Sequence, residues 1–274
     1  LLFTIVVLLL WMVGGILLIF GTYHLARRVL PPKDEGNGHH YPESIRDLAS
    51  ATGFRIGAFY GILLALLFAQ ELQGYQNIRE GLAREAAAVS QTYFDAGRYG
   101  GPSAPVIREA LKAYARAVVE VEWPLLSTEQ QLSPETWNDF NRAMDAVERL
   151  DAHTPAETAL RARMLTNMGE MANLRNLRLQ HAAESHRWLF LVPSLAGMFL
   201  VTIPFFIYTP RRETWVMLGC YGAFAGLVLF FIDGFSNPFD QPLQVSPAPF
   251  ERLLEGHVGS APTMTDGMLA GGNG

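Results

Sequence analysis

The sequence predicts an all-α integral membrane protein, with four transmembrane helices and a helical extramembrane domain between the second and the third. Half of the 274 residues are hydrophobic and only 17% are charged, which is apolar for a soluble protein but polar for one made of spans alone. Four nearly uncharged runs also approach or exceed the length of roughly 20 residues that crosses a hydrocarbon core about 30 Å thick. No alternation of apolar and polar residues indicates a strand.

The four apolar runs divide the chain into regions. They cover residues 1–25, 53–69, 188–208 and 215–232. The first two runs and their polar loop form region 1–69, and the extramembrane domain covers 70–187. A hairpin of the last two spans covers 188–234, because only a short polar loop joins them. A tail rich in proline and glycine follows over 235–274.

Amphipathic spacing extends span two into the extramembrane domain. Apolar side chains three or four residues apart predict a helix that continues to Tyr93. Segment 97–105, which contains Gly and Pro, ends it. A second amphipathic helix follows over 106–123, and we expect Pro124 to end it because an interior proline removes a backbone donor.

Two capping motifs predict where the remaining helices of this domain begin. Ser133 is suited to an N-cap, with Pro134 at the first helical position. Thr154 and Glu157 have the spacing of a capping box. No helix-breaking pair follows before span three, so the last helix is expected to run from about residue 156 into the membrane.

Composition and motifs argue against several classes of function. The net charge of −5 gives no sign of nucleic-acid binding, and the single Cys220 cannot form an internal disulfide. His181 and Glu184 lie on one helix face, but a metal site needs further ligands. Interfacial polar residues are therefore the favoured interpretation of that pair. No phosphate loop, nucleophile elbow or Cys–His pairing occurs, so we expect no catalytic residue, metal or cofactor.

Small residues recur at four-residue spacing in two spans. Gly53, Gly57 and Gly61 fall on one face of span two, and Gly222 and Gly226 repeat the spacing in span four. Small residues at this spacing let another helix backbone approach closely. They predict a tightly packed bundle or a seam between subunits, against the alternative of ordinary membrane-helix glycine.

The other face of span two carries bulky apolar side chains. Phe59, Ile62 and Leu66 lie three or four residues apart, and Gln73 follows on the polar side. If this face lined a pore, it would form a hydrophobic constriction that opens into polar vestibules. A lipid-facing stripe is the alternative, and the residues alone favour it. Arg55 is either a functional charge or an arginine that snorkels to the headgroups.

Span four ends in the stretch FIDGFSNPFDQP, residues 231–242. Asp233 is expected at the water boundary, where a negative charge opposes the helix dipole and calls for a cationic or backbone partner. The prolines that follow forbid a helix, and only 249–255 fits a short one. Three aromatic side chains are predicted to hold the tail against the end of the bundle or against a neighbouring subunit. They are Phe235, Phe239 and Phe250.

Several local motifs occur in a fixed order along the chain. They are RRVLP at 27–31, SIRD at 44–47, REAAAV at 84–89, Trp123-Pro124, IDGFSNPF at 232–239 and VSPAPF at 245–250. In this order, over nearly the whole chain, they resemble the bacterial bestrophin-like domain family. The tail is the most specific of these markers. Here Gly234–Asn237 separate the acid from Pro-Phe more widely than is usual in the family.

The resemblance implies a membrane protein of unassigned function with the layout of bestrophins. Bestrophins are pentameric ion channels whose second span lines the pore and forms a hydrophobic neck. By that analogy, the chain would be an oligomeric channel with Phe59, Ile62 and Leu66 as candidate neck residues. The alternative is a non-catalytic accessory or scaffold subunit of a larger membrane complex, since no ionisable path runs through the spans. The expected partners are the lipid bilayer and further copies of the chain or other subunits.

The expected location is the bacterial inner membrane, which the chain would cross several times. Arginine and lysine in the two short loops favour a cytoplasmic position for these loops and place the helical domain outside. The resemblance implies the reverse, because bestrophins keep the corresponding helical region and both termini in the cytoplasm. The sequence therefore leaves the orientation open.

Overall fold

The structure, a computed structural model, describes residues 2–30, 41–128, 133–183 and 187–256. Helices make up 88% of these residues and no strand occurs among them, so the predicted all-α class is confirmed. In chain order the elements are α1 (Leu2–Val29), α2 (Glu43–Tyr99), α3 (Ser103–Ala117), a π-helical segment (Val118–Glu122), α4 (Trp123–Thr128), α5 (Pro134–Glu148), α6 (Pro155–Ala183), α7 (Arg187–Thr202), a 3₁₀ segment (Ile203–Ile207), α8 (Arg212–Ser236) and α9 (Ala248–Glu255).

Four helical stretches are long and apolar enough to cross a membrane, as predicted. They lie in α1, in α2, over Phe190–Ile207 and in α8. Helix α2 has 57 residues and carries the second apolar run as well as the amphipathic segment that follows it. It ends at Tyr99, and Gly100 and Gly101 then adopt φ values of +74° and +72°. Only glycine takes up such positive φ values without strain, which is why the helix stops here.

The chain divides into two compact units. The first, here the membrane unit, comprises residues 1–76 and 185–244, and the second, the helical unit, comprises 77–184 and 245–274. The core of the membrane unit is formed by buried side chains from all four membrane-crossing helices. Its members include Ile19, Tyr23, Tyr60, Leu64, Met198, Val201, Leu218, Leu229 and Ile232.

Glycine brings α1 and α8 together in the membrane unit. A Cβ atom added to Gly222 would lie 2.8 Å from the Cα of Ile16, and one added to Gly226 would lie 2.9 Å from the Cα of Met12. A Cβ on Gly15 would likewise collide with the backbone of α8. The two helices therefore touch backbone to backbone, which any larger residue at these three positions would prevent.

The predicted caps of the helical unit are confirmed. The Ser133 hydroxyl accepts hydrogen bonds from the backbone N–H of Glu135 and of Thr136, at 3.2 and 3.4 Å. At the start of α6, Glu157 N–H donates to the Thr154 hydroxyl at 3.2 Å, and Thr154 N–H donates to the Glu157 carboxylate at 3.1 Å. These bonds occupy first-turn donors that have no partner within the helix.

The prediction that Pro124 ends the second amphipathic helix is wrong. The helical path continues to Thr128, because α3 passes into the π segment before α4 begins. The wider turn of a π segment lets Pro124 occupy the first turn of α4, where its missing N–H costs little. Trp123 and Leu126 of α4 are buried as a result.

Helix α6 begins at Pro155, close to the expected residue 156. Its predicted continuation into span three falls on residues 184–186, which lie outside the described residues. Helix α8 extends to Ser236, and the proline-rich stretch after it is not helical until α9. The expected short helix at 249–255 is thus confirmed, one residue longer than predicted.

Candidate functional site

One face of α2 packs against α7 and the 3₁₀ segment within the membrane unit. Tyr60 and Leu64 are buried in the shared core, and the Tyr60 ring fills the space above Gly197, where no Cβ could stand. A Cβ on Gly57 would lie 3.8 Å from Val201 Cγ1, an ordinary van der Waals distance. This face is therefore packed through side chains rather than by backbone contact.

The predicted packing glycines of span two occupy different surroundings. Gly53 is buried next to Phe205, at an ordinary van der Waals distance of 3.7 Å for an added Cβ. Gly61 is exposed and has no atom within 4 Å of an added Cβ. Gly61 thus packs against nothing within the described part of the chain, and a role in a seam between subunits stays a prediction.

The candidate neck residues lie on the face of α2 that points away from α7. The exposed fractions are 75% for Phe59, 59% for Ile62 and 66% for Leu66. Side chains three or four residues apart on a helix share one face, and these three are more than 90° of helical rotation from Tyr60 and Leu64. The single chain therefore leaves a bulky apolar stripe uncovered.

Polar side chains stand at both ends of this stripe. Arg55 and Gln73 continue the same helix face, and both are exposed. They are 18 residues apart, or about 27 Å at the helical rise of 1.5 Å per residue. Because that length is close to the thickness of the hydrocarbon core, the face changes from charged to apolar to amide across one membrane.

A second feature, which the sequence analysis missed, is a chain of buried charges in the helical unit. The Glu122 carboxylate accepts 2.7 Å hydrogen bonds from Arg175 and from Arg178, one on each oxygen. Arg178 also lies 3.0 Å from the Glu85 carboxylate. The other oxygen of Glu85 accepts a short hydrogen bond from the hydroxyl of Tyr114.

All four charged side chains of this buried charged centre are almost completely shielded from solvent. Two carboxylates face two guanidinium groups, so the formal charges cancel. Arg175 makes two further contacts, a 2.8 Å hydrogen bond to the Ser133 carbonyl and a cation–π contact 5.1 Å above Trp137. The centre therefore links α2, α3, α5 and α6 to the π segment that carries Glu122.

Burial and charge act in opposite directions on the ionisable groups of the centre. Burial raises the pKa of Glu85 above its ordinary value, although Arg178 and the Tyr114 hydroxyl act to lower it. Burial would lower the pKa of Arg178, but the nearby Glu85 and Glu122 outweigh it and raise that pKa. Arg178 therefore stays charged, and Glu85 is a carboxyl that protonates more readily than an exposed one.

The centre has the chemistry of a structural junction rather than of a ligand site. Both oxygens of Glu122 are already engaged by protein donors, and all four charged side chains are buried. The sequence carried one signal of it, since Arg175 and Arg178 are three residues apart on one face of α6. Their acidic partners lie on two other elements, which the sequence could not pair with them.

The tail residues occupy two distinct places. Asp233 is half-buried in the last turn of α8, and Phe239 is fully buried within the membrane unit. The Phe235 ring packs against Tyr75 of α2, with centroids 5.1 Å apart. Phe250 is fully buried as well, but it belongs to the helical unit and packs near the Tyr114 ring at 6.4 Å.

The described residues contain no group of three His, Cys, Asp or Glu side chains that could hold a metal ion. His181 of α6 is described, whereas its sequence partner Glu184 lies outside the described residues. Cys220 is exposed on α8 as a free thiol.

A family model described as "Bestrophin-like domain" matches residues 6–250 of the chain. The match covers both units and includes the candidate neck residues as well as the buried charged centre. Neither a curated protein nor a solved structure matches the chain significantly.

Proposed function

The chain belongs to the bestrophin-like domain family, and from this premise we propose that it forms an oligomeric membrane channel in which α2 surrounds the axis. The uncovered face of α2 carries the proposal. Phe59, Ile62 and Leu66 would form a hydrophobic neck, between arginine at one end and amide groups at the other. A neck of this kind gates ions by dewetting. The proposal assigns the chain no catalytic step.

Packing supports placing this face on an axis shared by several copies. Within one chain, α2 is anchored to α7 by Tyr60 and Leu64, so the opposite face is free to meet other copies of α2. The exposed Gly61 lies on the glycine face of α2, more than 90° of helical rotation from the stripe, where a small residue would let a neighbouring helix approach closely.

Cysteine cross-linking tests the assembly. In a Cys220→Ser background, cysteine at Ile62 is expected to form disulfide-linked dimers under mild oxidation in membranes. Cysteine at Phe54 is the matched control, because Phe54 is even more exposed than Ile62 but lies on another face of α2. Equal cross-linking at both positions, or none at position 62, would contradict an axis lined by α2.

Ion flux from reconstituted liposomes tests the conducting role. Alanine at Phe59, Ile62 and Leu66 together is expected to raise the flux of small ions several-fold over the parent, since it widens and wets the neck. Phe54→Ala should leave the flux unchanged. If the protein is monomeric by native mass spectrometry, and neither the parent nor the triple alanine variant conducts ions, the channel proposal is wrong. That result would leave the accessory-subunit alternative.

We also propose that the two short loops face the cytoplasm. Arg175 and Arg178 precede span three, but both are buried and form ion pairs with Glu122. They therefore present no charge to a membrane surface. Arg211 and Arg212 in the short loop are exposed. A cysteine at Pro210 should therefore resist a membrane-impermeant maleimide in intact cells, while one at Glu148 reacts. The opposite result would support the arrangement of bestrophins.

A further inference from the structure

A small polar cavity lies beside the loop that joins the 3₁₀ segment to α8, within the membrane unit. Its volume is about 170 Å³. Arg46 from the first turn of α2 and Arg211 from the start of α8 both line it. The other lining residues are Tyr41, Ile207, Tyr208, Thr209 and Thr214. Two arginines and four residues that carry hydroxyl groups thus line one small space.

The positive charge of the cavity is not neutralised within the described residues. Neither Arg46 nor Arg211 has a carboxylate within 4 Å in that part of the chain, and no carboxylate lines the cavity. Asp47 and Glu213, the acids nearest to the two arginines in sequence, are not among the residues that line the cavity. The Arg46 guanidinium instead lies 5.9 Å from the centroid of the Tyr208 ring.

The start of α8 adds donors to the same cavity. Arg211 is the N-cap residue, yet its side chain makes no capping hydrogen bond. The first N–H groups of α8 therefore lack a side-chain partner from the cap, and the helix dipole adds positive potential there. The Thr214 hydroxyl donates to the Thr209 carbonyl at 3.1 Å, which leaves its oxygen free to accept.

Aromatic rings around the cavity mark its depth in the bilayer. The Tyr23 hydroxyl donates to the Tyr208 carbonyl at 2.7 Å, and the Tyr23 and Trp215 rings pack with centroids 5.3 Å apart. Tyrosine and tryptophan gather at the level of the lipid headgroups. The apolar run of α8 begins at Trp215, directly after this cluster. This is the arrangement expected of a cavity that opens at the level of the headgroup phosphates.

We infer that this cavity binds the phosphate group of an anionic phospholipid headgroup. Arginine forks match phosphate oxygens in paired hydrogen bonds, and they keep their charge at any physiological pH. Helix N-termini bind phosphate in the same way. The inference does not depend on ion conduction, because it concerns a single chain and its lipid.

Native mass spectrometry of the detergent-purified protein tests the inference, with phosphatidylglycerol titrated as the anionic probe and phosphatidylcholine as the neutral one. Arg46→Gln and Arg211→Gln are each expected to weaken phosphatidylglycerol binding about fivefold, and the double variant about 25-fold. Arg212→Gln is the matched control. It removes the same charge from the same loop, but Arg212 does not line the cavity.

Three results would overturn the inference. An equal loss in Arg212→Gln would show diffuse surface attraction, and equal binding of phosphatidylcholine would show that the headgroup charge is not recognised. Inorganic phosphate that protects against thermal unfolding as well as the lipid does would assign the cavity to free phosphate. Arg46→Lys and Arg211→Lys together preserve charge without the fork. If this pair binds phosphatidylglycerol as tightly as the parent does, paired hydrogen bonding is wrong.

Discussion

In the membrane unit, α1 and α8 meet backbone to backbone at Gly15, Gly222 and Gly226. In the helical unit, the helices are joined through long charged side chains that converge on Glu122. The membrane unit makes close contacts because glycine has no side chain, whereas the helical unit makes them through long charged side chains. These two kinds of helix contact occur in different parts of one chain.

The difference follows from the surroundings in which each region folds. Lipid tails are as apolar as leucine, so helices in a membrane associate through close van der Waals packing, which glycine permits. In water the burial of apolar surface supplies the driving force, and a buried charge is tolerated only if partners surround it. The helical unit can therefore hold two arginines in its core, because two carboxylates lie beside them.

Loss of Glu122 should have the largest effect on stability. Glu122→Gln leaves Arg175 and Arg178 buried without their shared carboxylate, and we expect a loss of about 3–5 kcal/mol in the free energy of unfolding. Glu120→Gln, an exposed neighbour in the same π segment, should stay within about 0.5 kcal/mol of the parent. Denaturant unfolding in detergent, followed by circular dichroism, measures both. Equal free energies of unfolding in the two variants would show that the buried charged centre does not stabilise the helical unit.

Phe250 should come next, because it attaches the tail to the helical unit. Phe250→Ala deletes a fully buried ring that packs near Tyr114. Loss of a core ring lowers the free energy of unfolding by up to about 3–5 kcal/mol. The segment after Val245 should then become sensitive to limited proteolysis. Glu251→Ala, at an exposed position of α9, should not change the cleavage rate. Unchanged cleavage in Phe250→Ala would show that the ring does not secure the tail.

Gly15 tests the packing of the membrane unit at a smaller scale. Gly15→Ala forces a Cβ into the backbone of α8, and overpacking of this kind costs about 1–3 kcal/mol. Gly14→Ala is the natural control, since nothing lies within 4 Å of its added Cβ. Titration of the purified protein with SDS compares the two. A Gly15→Ala variant as stable as Gly14→Ala would mean that α1 and α8 do not touch through their backbones.

Glu157 should give the smallest effect, and it depends on pH. Backbone N–H groups of His153 and Thr154 lower the pKa of its exposed carboxyl. A lowered pKa in the folded state contributes stability above the ordinary carboxyl range, near pH 4.3. That contribution is lost as the pH falls through the lowered value. Between about pH 3 and 7, the melting temperature of Glu157→Gln should therefore fall less with acidification than that of the parent.

Glu170→Gln provides the comparison for this titration, because Glu170 is an exposed glutamate on the same helix. It should leave the acid dependence as it is in the parent. The same loss in both variants would trace the effect to the overall charge of α6 instead of the capping box.

Local patterns predicted much of the fold. The helix starts at Ser133 and Thr154 are confirmed because capping involves residues two or three apart, which a sequence displays directly. The four membrane-crossing helices follow from length and apolar content. The error at Pro124 arose because a π segment changes the register of a helix, and no residue type announces it.

The candidate sites divide along the same line. That Phe59, Ile62 and Leu66 share one face of α2 could be predicted because a helix face is a local property, with a period of 3.6 residues. Their role as neck residues stays a prediction. The buried charged centre was missed since Glu85 and Arg178 are distant in sequence and meet only in three dimensions. The glycine repeat of α8 was visible, but its partner Gly15 was not, because the pairing of α1 with α8 is a tertiary choice.

The amino-acid order alone thus determined where helices form, which of them are long and apolar enough to cross a membrane, and which face of each is apolar. Those properties depend on residues within a few positions of one another, where propensity, capping and periodicity act. Only the tertiary structure decided which glycines touch a helix backbone and which arginines are buried in ion pairs. Contacts between distant segments depend on shape and on completed hydrogen bonds, and these exist only once the helices have packed.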